Sequence, residues 1–206
     1  MVGEIRIYFE GDPALRPGFR RFLAELFALG RARRCRVGLI ATRATAAEDF
    51  ENALKSHPEA WCILLRDSEG PDDGKLLARF RLPKTRGDSV FWMVQVMEAW
   101  FLADCAALEA YYGKGFLTRA LPRNPAVERI PKTDLIRGLR RATRNTQKGI
   151  YHKTEHAPGL LASIDPAKVR QAAAHCNRLF DAVTRRLNSL PDDLMPLRAA
   201  RKTPPA

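Results

Sequence analysis

The chain has 206 residues, enough for one substantial hydrophobic core and a helical extension. It is 46% hydrophobic without a membrane-spanning apolar run, and its four cysteines, Cys35, Cys62, Cys105 and Cys176, include no C-x-x-C pair. These features argue against a membrane helix, a disulfide scaffold or a zinc site, and for buried thiols. Lys and Arg number 35 against 23 Asp and Glu, a net +12, and the excess is unevenly placed: residues 1–113 carry 16 of each sign, whereas 114–206 carry 19 basic and 7 acidic. A polyanionic partner, nucleic acid first, follows from that asymmetry, with solubility in a basic proteome as the ordinary alternative. The amino terminus lacks signal-peptide architecture, so a cytoplasmic protein is expected.

In chain order, Glu4 to Phe9 alternates as a strand, with Ile5, Ile7 and Phe9 on one face and Arg6 and Tyr8 on the other. It ends at Glu10-Gly11-Asp12-Pro13. Apolar residues at helical spacing predict a helix from about Leu15 to Leu29, stopped by Gly30. Cys35 to Ile40 reads as a second strand, and Thr45 to Lys55 as a helix capped by Thr45 with Glu48 three residues on. Trp61 to Leu65 is an uninterrupted apolar strand suited to the centre of a sheet covered on both faces. Ser89 to Val96 is a fourth β-prone run, and Met97 to Tyr112 is helical by composition, with Asp104 more naturally an internal cap than a site acid. The order predicts an α/β fold with a mainly parallel sheet and helices on both faces.

The remainder differs in character. Residues 114–131 read as loop, Thr133 as the cap of a helix bearing Arg137, Arg140, Arg141 and Arg144, and Gln147 to Thr154 as a polar loop. Asp165-Pro166 opens a long amphipathic helix through Val169, Ala173, Cys176, Phe180, Val183 and Leu187. The expected organisation is a catalytic core over 1–113, a basic helical part over 114–190 packed on it, and a basic, flexible tail over 191–206.

The chemistry concentrates where strands end. Asp67, Glu69, Asp72 and Asp73 place four carboxylates within seven residues after the third strand. Such a cluster repels itself unless a cation neutralises it, and hard oxygen donors suit Mg²⁺; an ordinary solvated turn uses the same residue types. In a parallel sheet Glu10 and Asp67/Glu69 emerge on one edge, where open α/β sheets bind ligands. Phosphodiester hydrolysis uses carboxylate-held divalent cations in this way, and Glu10 has the alternative role of general base. Arg16, one turn beyond Glu10, is placed either to clamp a phosphate or to face solvent.

Tyr-Phe-Glu10-Gly11 followed by a helix and Leu-Leu-Arg-Asp67-Ser-Glu69-Gly resembles the Toprim domain of topoisomerases, primases and OLD-family nucleases. Glu-Gly-Asp…Leu-Arg16-Pro-Gly-Phe, Met97-Glu98-Ala-Trp100-Phe-Leu-Ala-Asp104, Gly149-Ile-Tyr151-His-Lys153-Thr and the closing Ile-Asp-Pro helix resemble a Toprim-like family long catalogued as a domain of unknown function. That family is related to the effector nuclease of the PARIS phage-defence system, which works with an ABC-type ATPase. The resemblance implies a Mg²⁺- or Mn²⁺-dependent nuclease acting on RNA, tRNA included, or DNA in antiviral defence. Glu10, Asp67, Glu69 and Glu98 would form its metal site. Lys153 would join Glu10, Asp67 and Glu69 in catalysis, and Arg16, the four arginines 137, 140, 141 and 144, Lys148, Tyr151 and Lys153 would contact nucleic acid. Glu69 departs from the second aspartate of the Toprim D-x-D pair, leaving Asp72 or Asp73 as a substitute ligand. The rival expectation is a non-catalytic Toprim fold that binds nucleic acid or an ATPase; a small-molecule phosphotransfer enzyme and a homodimer are further options.

Overall fold

A computed structural model describes residues 3–42 and 45–190; the expected tail over 191–206 lies outside them. Four strands, β1 (Glu4–Glu10), β2 (Arg36–Thr42), β3 (Trp61–Asp67) and β4 (Val90–Met93), form an all-parallel sheet in the order β2-β1-β3-β4. The α/β class expected of a Toprim-like fold holds. Helical crossovers between successive strands force the parallel arrangement and cover both faces of the sheet, which is why β3 is apolar without alternation.

Each face has its own core. Ile5, Ile7, Phe9, Ile63, Leu65, Phe91 and Met93 point into the larger one, shared with α1 (Arg16–Phe22), α2 (Ala24–Ala32) and the carboxyl-terminal helices. Tyr8, Cys62, Leu64, Val90 and Trp92 point into the smaller one, under α3 (Ala46–Ser56) and α4 (Leu76–Arg79). Aromatic rings knit the larger core: Phe9 lies 4.7 Å from Phe19, and Trp100 stacks on Phe22 at 5.1 Å. Trp92 and Trp100 are core residues, and Cys35, Cys62 and Cys176 are buried free thiols; Cys105 is partly exposed.

Several expected helices are divided. The helix after β1 breaks at Leu23 (φ −92°, ψ 18°) and then runs through Gly30 to Ala32, because Gly30 fits beneath Val37 rather than ending the helix. Thr45 forms no capping box with Glu48; its hydroxyl donates to Asp49 at 3.0 Å. The run 97–112 splits into α5 (Ala99–Leu102) and α6 (Cys105–Tyr112). Asp104 between them caps α6 and accepts from Asp165 N and from Lys168 Nζ at 2.7 Å, so it is structural.

Pro131, not Thr133, precedes α7 (Lys132–Thr143). The expected polar loop ends at His152, where α8 (Lys153–Ser163) begins. The last helix is two, α9 (Pro166–Ala172) and α10 (Ala174–Asn188), divided at Ala173. Asp165 caps α9 as its Asp-Pro signature implies.

The helical part is no appendage: Leu139, Leu160, Leu161, Val169 and Phe180 belong to the same core as the β1 residues. Its register on the sheet depends on Gly18. A Cβ there would fall 2.5 Å from the Pro158 carbonyl oxygen and 2.8 Å from Leu161 Cβ, so α1 and α8 meet backbone to backbone. Gly18→Ala is therefore expected to destabilise the fold by roughly 1–3 kcal/mol, the usual cost of overpacking. Urea denaturation measures it, and an unchanged midpoint would disprove this close approach.

Candidate active site at the carboxyl edge of the sheet

The strand order reverses between β1 and β3, since β1 leads outward to β2 while β3 and β4 extend the other way. Open α/β sheets bind ligands outside the strand ends at such a switch point. Glu10 closes β1, Asp67 closes β3, Glu98 follows β4, and Lys153 opens α8. The loops beyond β3 and β4 are stitched together: Ser68 N donates to Met93 O (3.1 Å), and Gln95 N to Ser68 Oγ (2.8 Å). Gln95 Oε1 accepts from Lys132 N at 3.2 Å, hooking the start of α7 to the same edge. Glu69 (φ 58°) and Gln95 (φ 65°) occupy the left-handed region, uncommon for residues other than glycine and a form of strain that clusters at functional sites.

The centre of the site is a buried carboxylate pair with one ammonium. Asp67 (6% exposed) accepts from Met97 N at 2.8 Å through Oδ1 and from Lys153 Nζ at 3.2 Å through Oδ2. Glu98 (1% exposed) accepts from the Tyr151 hydroxyl at 2.9 Å through Oε1. Its Oε2 lies 3.7 Å from Lys153 Nζ and has no hydrogen-bond partner. Burial pushes the Asp67 carboxyl up to about 6, with Glu98 adding to the rise and Lys153 opposing it. Burial pulls the Lys153 ammonium down, but Asp67 and Glu98 outweigh it and the net shift is upward. Burial, reinforced by Glu98, keeps the Tyr151 phenol protonated.

Glu10 stands apart from this pair. Tyr8 and Leu64 face the smaller core, so Glu10 and Arg66, two residues further along each strand, lie on that side by pleat alternation. Asp67 follows Ile63 and Leu65 to the other side. Arg66 takes Glu10, with Nη2 donating to Oε1 at 3.3 Å and Nε 3.1 Å from Oε2, while its guanidinium lies 3.8 Å from the Phe80 ring. Burial raises the Glu10 carboxyl above its ordinary range against the pull of Arg66; Glu69 raises it further and Lys153 lowers it, so Glu10 still senses the neighbouring charges. Glu69 turns out to the Lys132 ammonium. Asp72 pairs with His175 (2.9 Å) and Asp73 with Arg79 (2.9 Å), so neither replaces a site ligand.

The expected nucleic-acid contacts divide. Arg137, Arg140, Arg141 and Arg144 line one cleft of about 590 Å³ with Lys132, Ile136 and Ile150. A second cavity of about 360 Å³ holds Glu69, Glu98 and Lys153 and shares Lys132, Ile136 and Arg140 with the first, so the cleft leads to the carboxylates. Tyr151 is buried against Phe101 and His156 and its hydroxyl donates to Glu98, while it also lines the carboxylate cavity. Lys148 lies over the Tyr111 ring at 5.0 Å and is absent from the cleft lining. Arg16 is exposed, and among the described residues no hydrogen bond or ion pair joins it to the four carboxylates. Sequence reasoning missed Arg66 and Lys132. Arg66 was findable, because continuing the Phe9–Leu65 register by one residue sets it opposite Glu10; nothing local marks Lys132.

Among the described residues no three His, Cys, Asp or Glu side chains meet in a metal-ligating cluster. Mg²⁺, however, commonly keeps several waters and takes one or two protein carboxylates plus substrate phosphate. Asp67 and Glu98 fit that demand: both are hard oxygen donors facing one cationic centre, and Glu98 Oε2 is buried without a hydrogen bond.

Fold and site together define an α/β protein with a carboxylate pair at the switch point of a parallel sheet. The chain belongs to the family described as Domain of unknown function (DUF4276), whose model matches residues 12–184. The match includes Asp67, Glu98 and Lys153 and begins just beyond Glu10. No curated protein and no solved structure gives a significant match.

The raised Asp67 carboxyl makes a directional prediction. Unfolded Asp ionises near 3.8, so between about pH 4 and 6 the folded chain binds more protons than the unfolded one, and this group's contribution to stability falls as pH rises. Asp67→Asn removes that loss. Its stability relative to the native protein is expected to improve by up to about 3 kcal/mol between pH 4 and 7, read from paired denaturation curves; a pH-independent difference would contradict the assigned burial of charge.

Proposed function

We propose that this protein is a metal-dependent, Toprim-like nuclease that hydrolyses phosphodiester bonds in RNA or DNA. The supporting observation is the convergence of buried Asp67 and Glu98 on Lys153 at the inner end of an arginine-lined cleft. Asp67 and Glu98 would hold Mg²⁺ or Mn²⁺, with Glu10 and Glu69 at the margin. When bound, the ion supplies Lewis-acid polarisation and a more acidic water. Lys153, at the first position of α8 with 44% of its side chain exposed, is free to turn from the carboxylates to a substrate phosphate. Glu10, made more basic by burial, fits the role of general base. Tyr151 is a positioning residue that orients Glu98. Phage defence and an ABC-type ATPase partner belong to this reading on the strength of sequence resemblance alone, and a cytoplasmic setting on the amino-terminal sequence; no helix among the described residues is long and apolar enough to cross a membrane.

A second reading, a non-catalytic nucleic-acid- or ATPase-binding protein, draws on one specific feature. Each carboxylate already has a basic neighbour: Arg66 for Glu10, Lys132 for Glu69, Lys153 for Asp67 and Glu98.

Calorimetric Mn²⁺ titration and cleavage assays on tRNA, single-stranded RNA and plasmid DNA separate the two. The nuclease should bind Mn²⁺ and cleave at least one substrate, and Asp67→Ala should abolish both. Tyr151→Phe should weaken metal affinity or activity about 10- to 100-fold, as loss of a ligand's outer partner does. Lys153→Met should bind Mn²⁺ more tightly, having lost the competing ammonium, yet cleave poorly. Absence of metal binding in the native protein and in Lys153→Met alike would leave the non-catalytic reading standing.

A further inference from the structure

The cleft along α7 has a character that phosphate binding by itself does not require. Its lining is mostly cationic, but it includes Ile136 and Ile150. Ile150 is 47% exposed, the one strongly exposed large hydrophobic side chain among the described residues. An isolated exposed isoleucine is ordinary on a protein surface. Here it lies in a concavity with a second isoleucine, surrounded by guanidinium groups. Arg137 is held by Asp134, whereas Arg140, Arg141 and Arg144 make no side-chain hydrogen bond or ion pair among the described residues.

A ligand matching this surface must present anionic groups beside apolar faces. A duplex presents its phosphates outward and keeps its base faces stacked inside, so it would satisfy the arginines and leave both isoleucines uncovered. An unpaired strand can splay a base out, lay its face on an apolar or guanidinium plane and keep its phosphates on neighbouring cations. We infer that the cleft selects unpaired nucleic acid: one base rests on Ile136 and Ile150, and its flanking phosphates lie against Arg140, Arg141 and Arg144. Ile136 and Arg140 line both the cleft and the carboxylate cavity, so a strand held in this way passes its backbone toward Glu98 and Lys153. What happens there rests on the nuclease reading; the binding does not.

The test is fluorescence anisotropy in EDTA with a labelled single-stranded oligonucleotide, free or annealed to its complement, and with polyglutamate as competitor. Single strand should bind about tenfold or more tightly than duplex. Ile150→Asp should lose that advantage, Ile150→Leu should keep it, and Lys55→Gln, on α3 and outside the cleft, should change neither. Arg141→Gln and Arg144→Gln should weaken both ligands and each reduce the salt slope by about 0.7–0.9. The inference is overturned if duplex binds as well as single strand, if Ile150→Asp matches the native protein, or if polyglutamate displaces the oligonucleotide at equal charge concentration. Since metal is absent throughout, selective binding without later cleavage would sink the nuclease reading alone.

Discussion

A single ammonium group between two buried carboxylates organises the functional half of the molecule. Asp67 comes from the end of β3, Glu98 from the turn after β4 and Lys153 from the start of α8, segments far apart in the chain. Two like charges cannot remain buried side by side without a cation or a proton, and here both compensations operate: Lys153 approaches each, and the Asp67 carboxyl is shifted upward. The half-exposed ammonium is screened by solvent, so its net contribution to stability is small. What the interaction provides is placement: the helical part must dock in one register for Lys153 to arrive there, and the Gly18–Pro158 approach sets that register.

The sheet itself imposes a division within the site. Strand pleating sends Glu10 toward the smaller core and Asp67 toward the larger one, although both close neighbouring strands at the same edge. The acidic edge is therefore two connected compartments. One holds Glu10 under Arg66 and Phe80; the other holds Asp67, Glu98, Tyr151 and Lys153. A metal reaction would be centred in the second, with Glu10 acting from the side.

The charge asymmetry has a structural expression too. The acids nearest the switch point come from the neutral first part of the chain, and the cations lining the approach come from α7 in the basic part. Core residues from both parts share one cluster, so the basic cleft is held against the acidic edge rather than tethered to it. Strained backbone at Glu69 and Gln95, with the Ser68 and Lys132 hydrogen bonds, joins the two at the mouth.

Local pattern alone determined the strands, the parallel α/β class, the acids at the ends of β1 and β3, and the buried character of most cysteines. These follow from periodicity, apolar run length and chain order, which are properties of neighbouring residues. Tertiary structure decided the rest. Long apparent helices broke at Leu23, Asp104 and Ala173, where backbone geometry and packing prevailed over composition. Tyr151 turned inward to hold Glu98, Asp72 turned to His175, and Lys132 rose from an unmarked position to meet Glu69. Which carboxylate faces which cation depends on contacts between segments distant in sequence. Pleat parity, helix docking and loop strain settle those contacts only once the chain has closed on its core.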